Sequence, residues 1–119
     1  MPTHNQKIKR IVNQLQNRKN TNPVSLKKKS VSHEVPKPDD KRHLDEKIDI
    51  SDLTEIISID PENKICIAES GVTFVDLVNA TIKYNLVPIV VPELKTITIG
   101  GAVAGCSIES MSYKYGGFH

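Results

Sequence analysis

"TEIISIDPENKICIAESGVTFVDLVNATIKYN", residues 54–85, decides the fold. At its centre Asp60-Pro61-Glu62-Asn63 has the composition of a tight turn, with proline at the second position. Ile57 and Ile59 alternate before the turn and Ile65 and Ile67 after it, so the stretch predicts a β-hairpin. Gly71 breaks the second strand, and Thr73 then stands as the N-cap of a helix with Asp76 in its first turn. Phe74, Leu77, Val78 and Ile82, with Thr81 beside them, form the apolar face. Asn85 takes the left-handed cap position at the far end.

Upstream, "KIDISDL" (47–53) and "PVSL" (23–26) are short and apolar enough for strands. Between them residues 27–47 form a long, charged, aperiodic loop holding Pro36 and Pro38, of a length that marks function or mobility. Residues 1–22 supply an amphipathic helix, with Ile8, Ile11, Val12 and Leu15 spaced as one apolar stripe. Downstream, "LVPIVVP" (86–92) is extended, because Pro88 and Pro92 disfavour helix in the residues before them. The order is helix, strand, loop, strand, hairpin, helix, extended segment and glycine-rich loop. That is an α+β chain with an α/β subdomain: an N-terminal helix and a small sheet with a hairpin and a crossover helix.

The 119 residues suffice for one small domain, and the apolar fraction of 38% confines the core to part of the chain. Net charge is only +2, but residues 1–47 hold 12 Lys/Arg against 5 Asp/Glu, while residues 48–119 hold 4 against 9. This basic front segment is a solvated face and loop, or, as the alternative, part of a non-catalytic truncated binding module. Aromatics are too scarce for a base-stacking surface, so no strong nucleic-acid signal arises. Cys66 and Cys106 lack CxxC spacing, and the N-terminus has no apolar signal core. With no apolar run near the length of a membrane span, a cytoplasmic location is expected.

The chain closes on "TITIGGAVAGCSIESMSYKYGGFH", residues 96–119. Gly100, Gly101 and Gly105 lack the Gly-Lys-Ser/Thr that would follow in a P-loop. They also lack the spacing and the downstream acid of a dinucleotide fingerprint. What remains is a run of small residues whose backbone an anion can approach, reinforced if Gly101–Gly105 opens a short helix. Close packing of two backbones explains the same run equally well. Glu109 opposes a phosphate nearby and must point elsewhere, to a ribose hydroxyl or a backbone N–H. Tyr113 and Tyr115 alternate along an extended stretch, one ring capping the core and the other covering the loop, or, as the alternative, one of them touching the ligand directly. His4, His33, His43, His119 and the cysteines show no metal-ligand spacing, and Ser107 sits in no nucleophile elbow.

Pro92-Glu93-Leu94, Thr98-Ile99-Gly100-Gly101, Gly105, Ile108-Glu109-Ser110 and Lys114-Tyr115-Gly116, together with the upstream "IAESGVTFVDLVNATIKYNLVPIVVP", resemble a known family. They look like the diphosphate loop of FAD-linked oxidases with the PCMH-type FAD domain of vanillyl-alcohol oxidase and p-cresol methylhydroxylase. Within that family they are nearest the branch of delta-24-sterol reductases. The likeness is specific from Ser51 to His119, looser from Pro23 to Ile50, and only positional before that. It implies that Thr98, Ile99, Gly100, Gly101, Ala102, Gly105, Cys106, Ser107, Ile108, Glu109 and Ser110 wrap the diphosphate of FAD. It implies that residues 23–119 are the first half of a PCMH-type domain within an FAD-linked oxidoreductase. The second FAD subdomain, the substrate domain and the catalytic residues would lie outside the chain, so it is expected to be an inactive fragment partnered by the flavin and the missing remainder. Relatives carry an earlier Arg-Ser-Gly-Gly-His-type turn that can hold a covalently bonded histidine. Here "SLKKKSVSHEVPKP" stands instead, so His33 takes no such role and the flavin is expected to bind noncovalently.

Overall fold

The computed structural model describes residues 1–30 and 37–119, so His33 and the middle of the 27–47 loop lie outside the described residues. Two units divide the chain, Met1–Leu53 and Thr54–His119.

In the first unit, helix α1 spans His4–Gln16. Thr3 caps it through a reciprocal box: the Gln6 N–H donates to Thr3 Oγ1 at 3.3 Å, and the Thr3 N–H donates to Gln6 Oε1 at 2.8 Å. Strands β1 (Val24–Lys27) and β2 (Glu46–Asp49) pair in parallel, Val24 opposite Glu46 and Lys27 opposite Asp49. The predicted 27–47 loop is therefore shorter than expected. Its far end is a 3-10 turn, Lys41–Leu44, capped by the Asp40 carboxylate, followed directly by β2.

The apolar stripe of α1 does not turn inward. Ile8, Val12 and Leu15 stay 40%, 41% and 43% exposed, whereas Lys7 is buried. The reason is the edge of β2, whose backbone groups need partners. Gln14 Nε2 donates to the Lys47 carbonyl at 3.2 Å, and the Asp49 N–H donates to Gln14 Oε1 at 3.1 Å. Arg10 donates to the Asp49 carbonyl at 2.8 Å and to Asp52 Oδ1 at 2.6 Å. Polar side chains of α1 thus complete the sheet edge, and Ile48 of β2 is buried.

In the second unit, β3 (Ile56–Asp60) and β4 (Ile65–Ala68) form the predicted antiparallel hairpin. Asp60 builds its turn, accepting from the Glu62 and Asn63 N–H groups at 3.1 Å each and from Asn63 Nδ2 at 2.7 Å. A bulge between Ile56 and Ser58 resets the alternation. Ile56, Cys66 and Ala68 pack on the core, while Ile57, Ile65 and Ile67 are exposed. One small sheet was expected; the described residues form two separate two-stranded sheets.

Helix α2 (Phe74–Thr81) begins as predicted, with the Asp76 N–H donating to Thr73 Oγ1 and the Thr73 hydroxyl donating to Asp76 Oδ2 at 2.7 Å. It tightens into a 3-10 turn at Ile82–Tyr84, which swings Ile82 out to solvent, and Asn85 closes it with φ 58°. Val72, Phe74, Leu77 and Ala102 are the buried core. Among the described residues no helix is long and apolar enough to cross a membrane.

Candidate functional site

The glycine-rich loop starts as helix α3, Ile99–Ala104, two residues before the predicted Gly101. Thr98 is its N-cap and forms an isolated antiparallel bridge with Thr73, the N-cap of α2. The two helix starts are stitched together by the Phe74 N–H donating to the Ile97 carbonyl (3.0 Å) and the Ile99 N–H donating to the Val72 carbonyl (2.9 Å).

That stitching uses the amides a phosphate would need. The Gly100 N–H donates to the Ser70 carbonyl at 2.8 Å, Gly101 N–H to Thr98 Oγ1 at 3.2 Å, and Ala102 N–H to the Thr98 carbonyl at 2.9 Å. The start of α3 is therefore saturated from within. Gly100 also answers the packing alternative: a Cβ there would stand 2.9 Å from Ser70 Cβ and 3.0 Å from its carbonyl oxygen. Thr98 and Ala102 are buried, Ile99 and Gly100 half-buried, and Gly101 is exposed.

The backbone beyond α3 is open. Gly105 and Cys106 are exposed, and Cys106 sits in the left-handed region at φ 46°. The Ser107 N–H is taken by the Ala102 carbonyl at 2.9 Å and the Ser107 carbonyl by the Phe118 N–H at 2.9 Å. Glu109 is held at both backbone groups by Ser112: its N–H donates to Ser112 Oγ (2.9 Å) and its carbonyl accepts the Ser112 N–H (2.8 Å). Between and after these pins, the Ile108, Ser110 and Met111 amides have no acceptor among the described residues, and neither do the Ser107 and Ser110 hydroxyls. Five donors are thus available in residues 107–111, where the stretch around Ile108 and Ser110 is exposed. Sequence spacing pointed to the glycines, while the family resemblance already included Ser107, Ile108 and Ser110; Met111 was in neither, and the local signal was the Ser-x-x-Ser-x-Ser pattern of 107–112.

Helix α4 (Ser112–Tyr115) replaces the extended stretch expected for the tyrosines. Tyr113 is 85% exposed, and the ring that caps the core is Phe118, edge-on to Phe74 with centroids 5.0 Å apart. Beside them lies a cleft of about 680 Å³ lined by Cys66, Leu77, Leu86, Val90 and Phe118, among others. Of the predicted site residues only Ile99 lines it, and its walls are chiefly apolar, so it does not suit a diphosphate. Burial pushes the Cys66 thiol above its ordinary pKa. Among the described residues no group of three or more His, Cys, Asp or Glu is placed to hold a metal ion.

Comparison with known proteins locates the chain. A family model described as "FAD binding domain" matches residues 1–119. The Delta(24)-sterol reductase of Pisum sativum is 32% identical over 118 residues, 97% of this chain and 21% of the relative. A Delta(24)-sterol reductase homolog of Caenorhabditis elegans is 40% identical over 72 residues, 60% of this chain and 14% of the relative. The Arabidopsis thaliana Delta(24)-sterol reductase is 28% identical over 118 residues, again 97% and 21%. The chain thus spans about a fifth of the length of the plant relatives it matches. Comparison with solved structures gives no significant match.

Proposed function

The chain belongs to the FAD binding domain family, its cofactor is FAD, and we propose that residues 98–110 anchor the diphosphate of that cofactor noncovalently. The five donors of residues 107–111 left without protein acceptors carry this reading. A diphosphate offers oxygens that such amides and hydroxyls can bind in charge-assisted hydrogen bonds. Ser107 and Ser110 contribute hydroxyls and amides 108, 110 and 111 the backbone donors. Thr98, Gly100 and Ala102 act indirectly, by fixing α3 against the Ser70–Val72 backbone.

On this reading the chain is the first half of a PCMH-type flavin domain, residues 23–119, preceded by the helix within 1–22. Bound flavin supplies hydride acceptance and donation at N5. This chain's own residues bind and orient its diphosphate end, and the contacts to the flavin ring come from a further segment of an FAD-linked oxidoreductase. We place the protein in the cytoplasm, in keeping with two free cysteines, Cys66 and Cys106. The alternative, a basic binding module, is weakened because Arg10, Lys27, Arg42 and Lys47 are engaged in internal ion pairs or hydrogen bonds.

Titrating FAD with the 119-residue chain and following flavin fluorescence anisotropy tests the proposal. Saturable binding displaced by ADP but not by riboflavin is expected. Displacement by riboflavin and not by ADP would move the contact from the diphosphate to the ring.

A further inference from the structure

Residues 107 and 109 are pinned while 108 and 110 are free, and the pin on 107 has an unusual origin. Phe118 supplies it, its N–H donating to the Ser107 carbonyl at 2.9 Å and its ring set against Phe74, which is 1% exposed. The residue before, Gly117, lies so close to the Cys106 thiol that a Cβ there would stand 2.6 Å from Sγ. That Cβ would meet the Cys106 and Ser107 carbonyl oxygens only at 3.5 Å, so the thiol is the sole tight neighbour. Cys106 itself holds φ 46°, a conformation an L side chain adopts at some cost. Gly116, at φ 79°, turns the chain back toward this contact.

Resting on the diphosphate reading, we propose that Gly117 and Phe118 form a strap that sets the geometry of the 107–110 donors, with the Cys106–Gly117 contact as its closure. Gly117 is then a positioning residue for the cofactor. It has no side chain to offer a ligand, and it acts through Cys106 and Ser107. The strap ties the loop to the hydrophobic core, so the free amides are held in place before the ligand arrives, which lowers the ordering cost of binding.

The test compares the 119-residue chain with Gly117→Ala, Cys106→Ala and the double variant, measuring FAD affinity by fluorescence titration and thermal unfolding in parallel. Gly117→Ala is expected to weaken FAD binding about tenfold, equivalent to about 1.4 kcal/mol. Adding Cys106→Ala removes the clashing sulfur, so the double variant is expected to bind FAD within about twofold of the Cys106→Ala variant and more tightly than Gly117→Ala. A Gly117→Ala variant that binds like the parent, or a double variant as weak as the single one, overturns the strap. Should Gly117→Ala fail to fold, Phe118→Leu keeps an apolar plug while loosening the strap, with about threefold weaker binding expected; parental affinity there overturns the proposal. Absence of any saturable binding by the parent is a different failure, because it removes the diphosphate reading on which the strap rests.

Discussion

Gly100 and Gly101 are neighbours under different demands. Gly100 meets Ser70 at a distance no Cβ tolerates, whereas a Cβ at Gly101 meets only Thr98 Oγ1 at 3.2 Å. Gly100→Ala is therefore expected to lower stability by about 1–3 kcal/mol, as overpacking does. Gly101→Ala is expected to stay within about 0.5 kcal/mol of the parent or to gain, since alanine favours helix. Urea denaturation of the two variants checks the contrast; equal losses would contradict it. The cysteines differ in the same local way. Cys66 is partly buried with its thiol pKa raised, and Cys106 is exposed. Iodoacetamide at mildly alkaline pH should label Cys106 first, which peptide mapping would show. Asp49 supplies a pH test. Hydrogen bonds from Ser51, aided by Lys27, hold its pKa down to about 2 from an ordinary 3.8. A depressed folded pKa means a contribution present above the ordinary value and lost as pH falls through about 2. Ser51→Ala should move the Asp49 carboxyl titration, followed by NMR, back toward the ordinary value.

The elements show which parts of the fold a local reading captures. The hairpin turn, the Thr73 cap and the left-handed Asn85 were all legible, because each depends on residues a few positions apart. Several misreadings come from demands that a local pattern does not show. Ile57 is exposed while its neighbour Ile56 packs on the core, beside a bulge that the alternation does not show. The polar side of α1 turned inward because β2 had backbone groups to satisfy. Helix α3 starts at Ile99, in a glycine run of poor helix propensity, because Ser70 and Val72 accept its first amides. The Thr73–Thr98 bridge joins these starts, so the cap of α2 is coupled to that of α3. Thr73→Ala is expected to cost about 1 kcal/mol, the usual loss for a threonine cap, and Thr73→Ser to recover most of it. Chemical denaturation of the pair would expose any error: a Thr73→Ser loss as large as that of Thr73→Ala would mean the hydroxyl is not what matters.

At the scale of the whole molecule, the α+β character and the family were legible, the latter from motifs gathered between Pro92 and Gly116. The division at Leu53–Thr54 was not, although the charge balance changes sign a few residues before it, after residue 47. Ser107, Ile108 and Ser110 were already named from the resemblance, but which amides are taken and which are left was not legible, because that depends on Ser70, Val72, Ser112 and Phe118 acting together. Because the chain covers 21% of its plant relatives, its own FAD affinity is expected to be modest. The central claim is that the diphosphate meets the backbone after α3. The most direct measurement is an amide-resolved ¹H–¹⁵N NMR titration of the chain with FAD and, separately, ADP. Saturable shifts centred on Ile108, Ser110 and Met111 with both ligands are predicted. Shifts confined to the apolar cleft around Leu86 and Val90, or present with FAD and absent with ADP, would contradict the account.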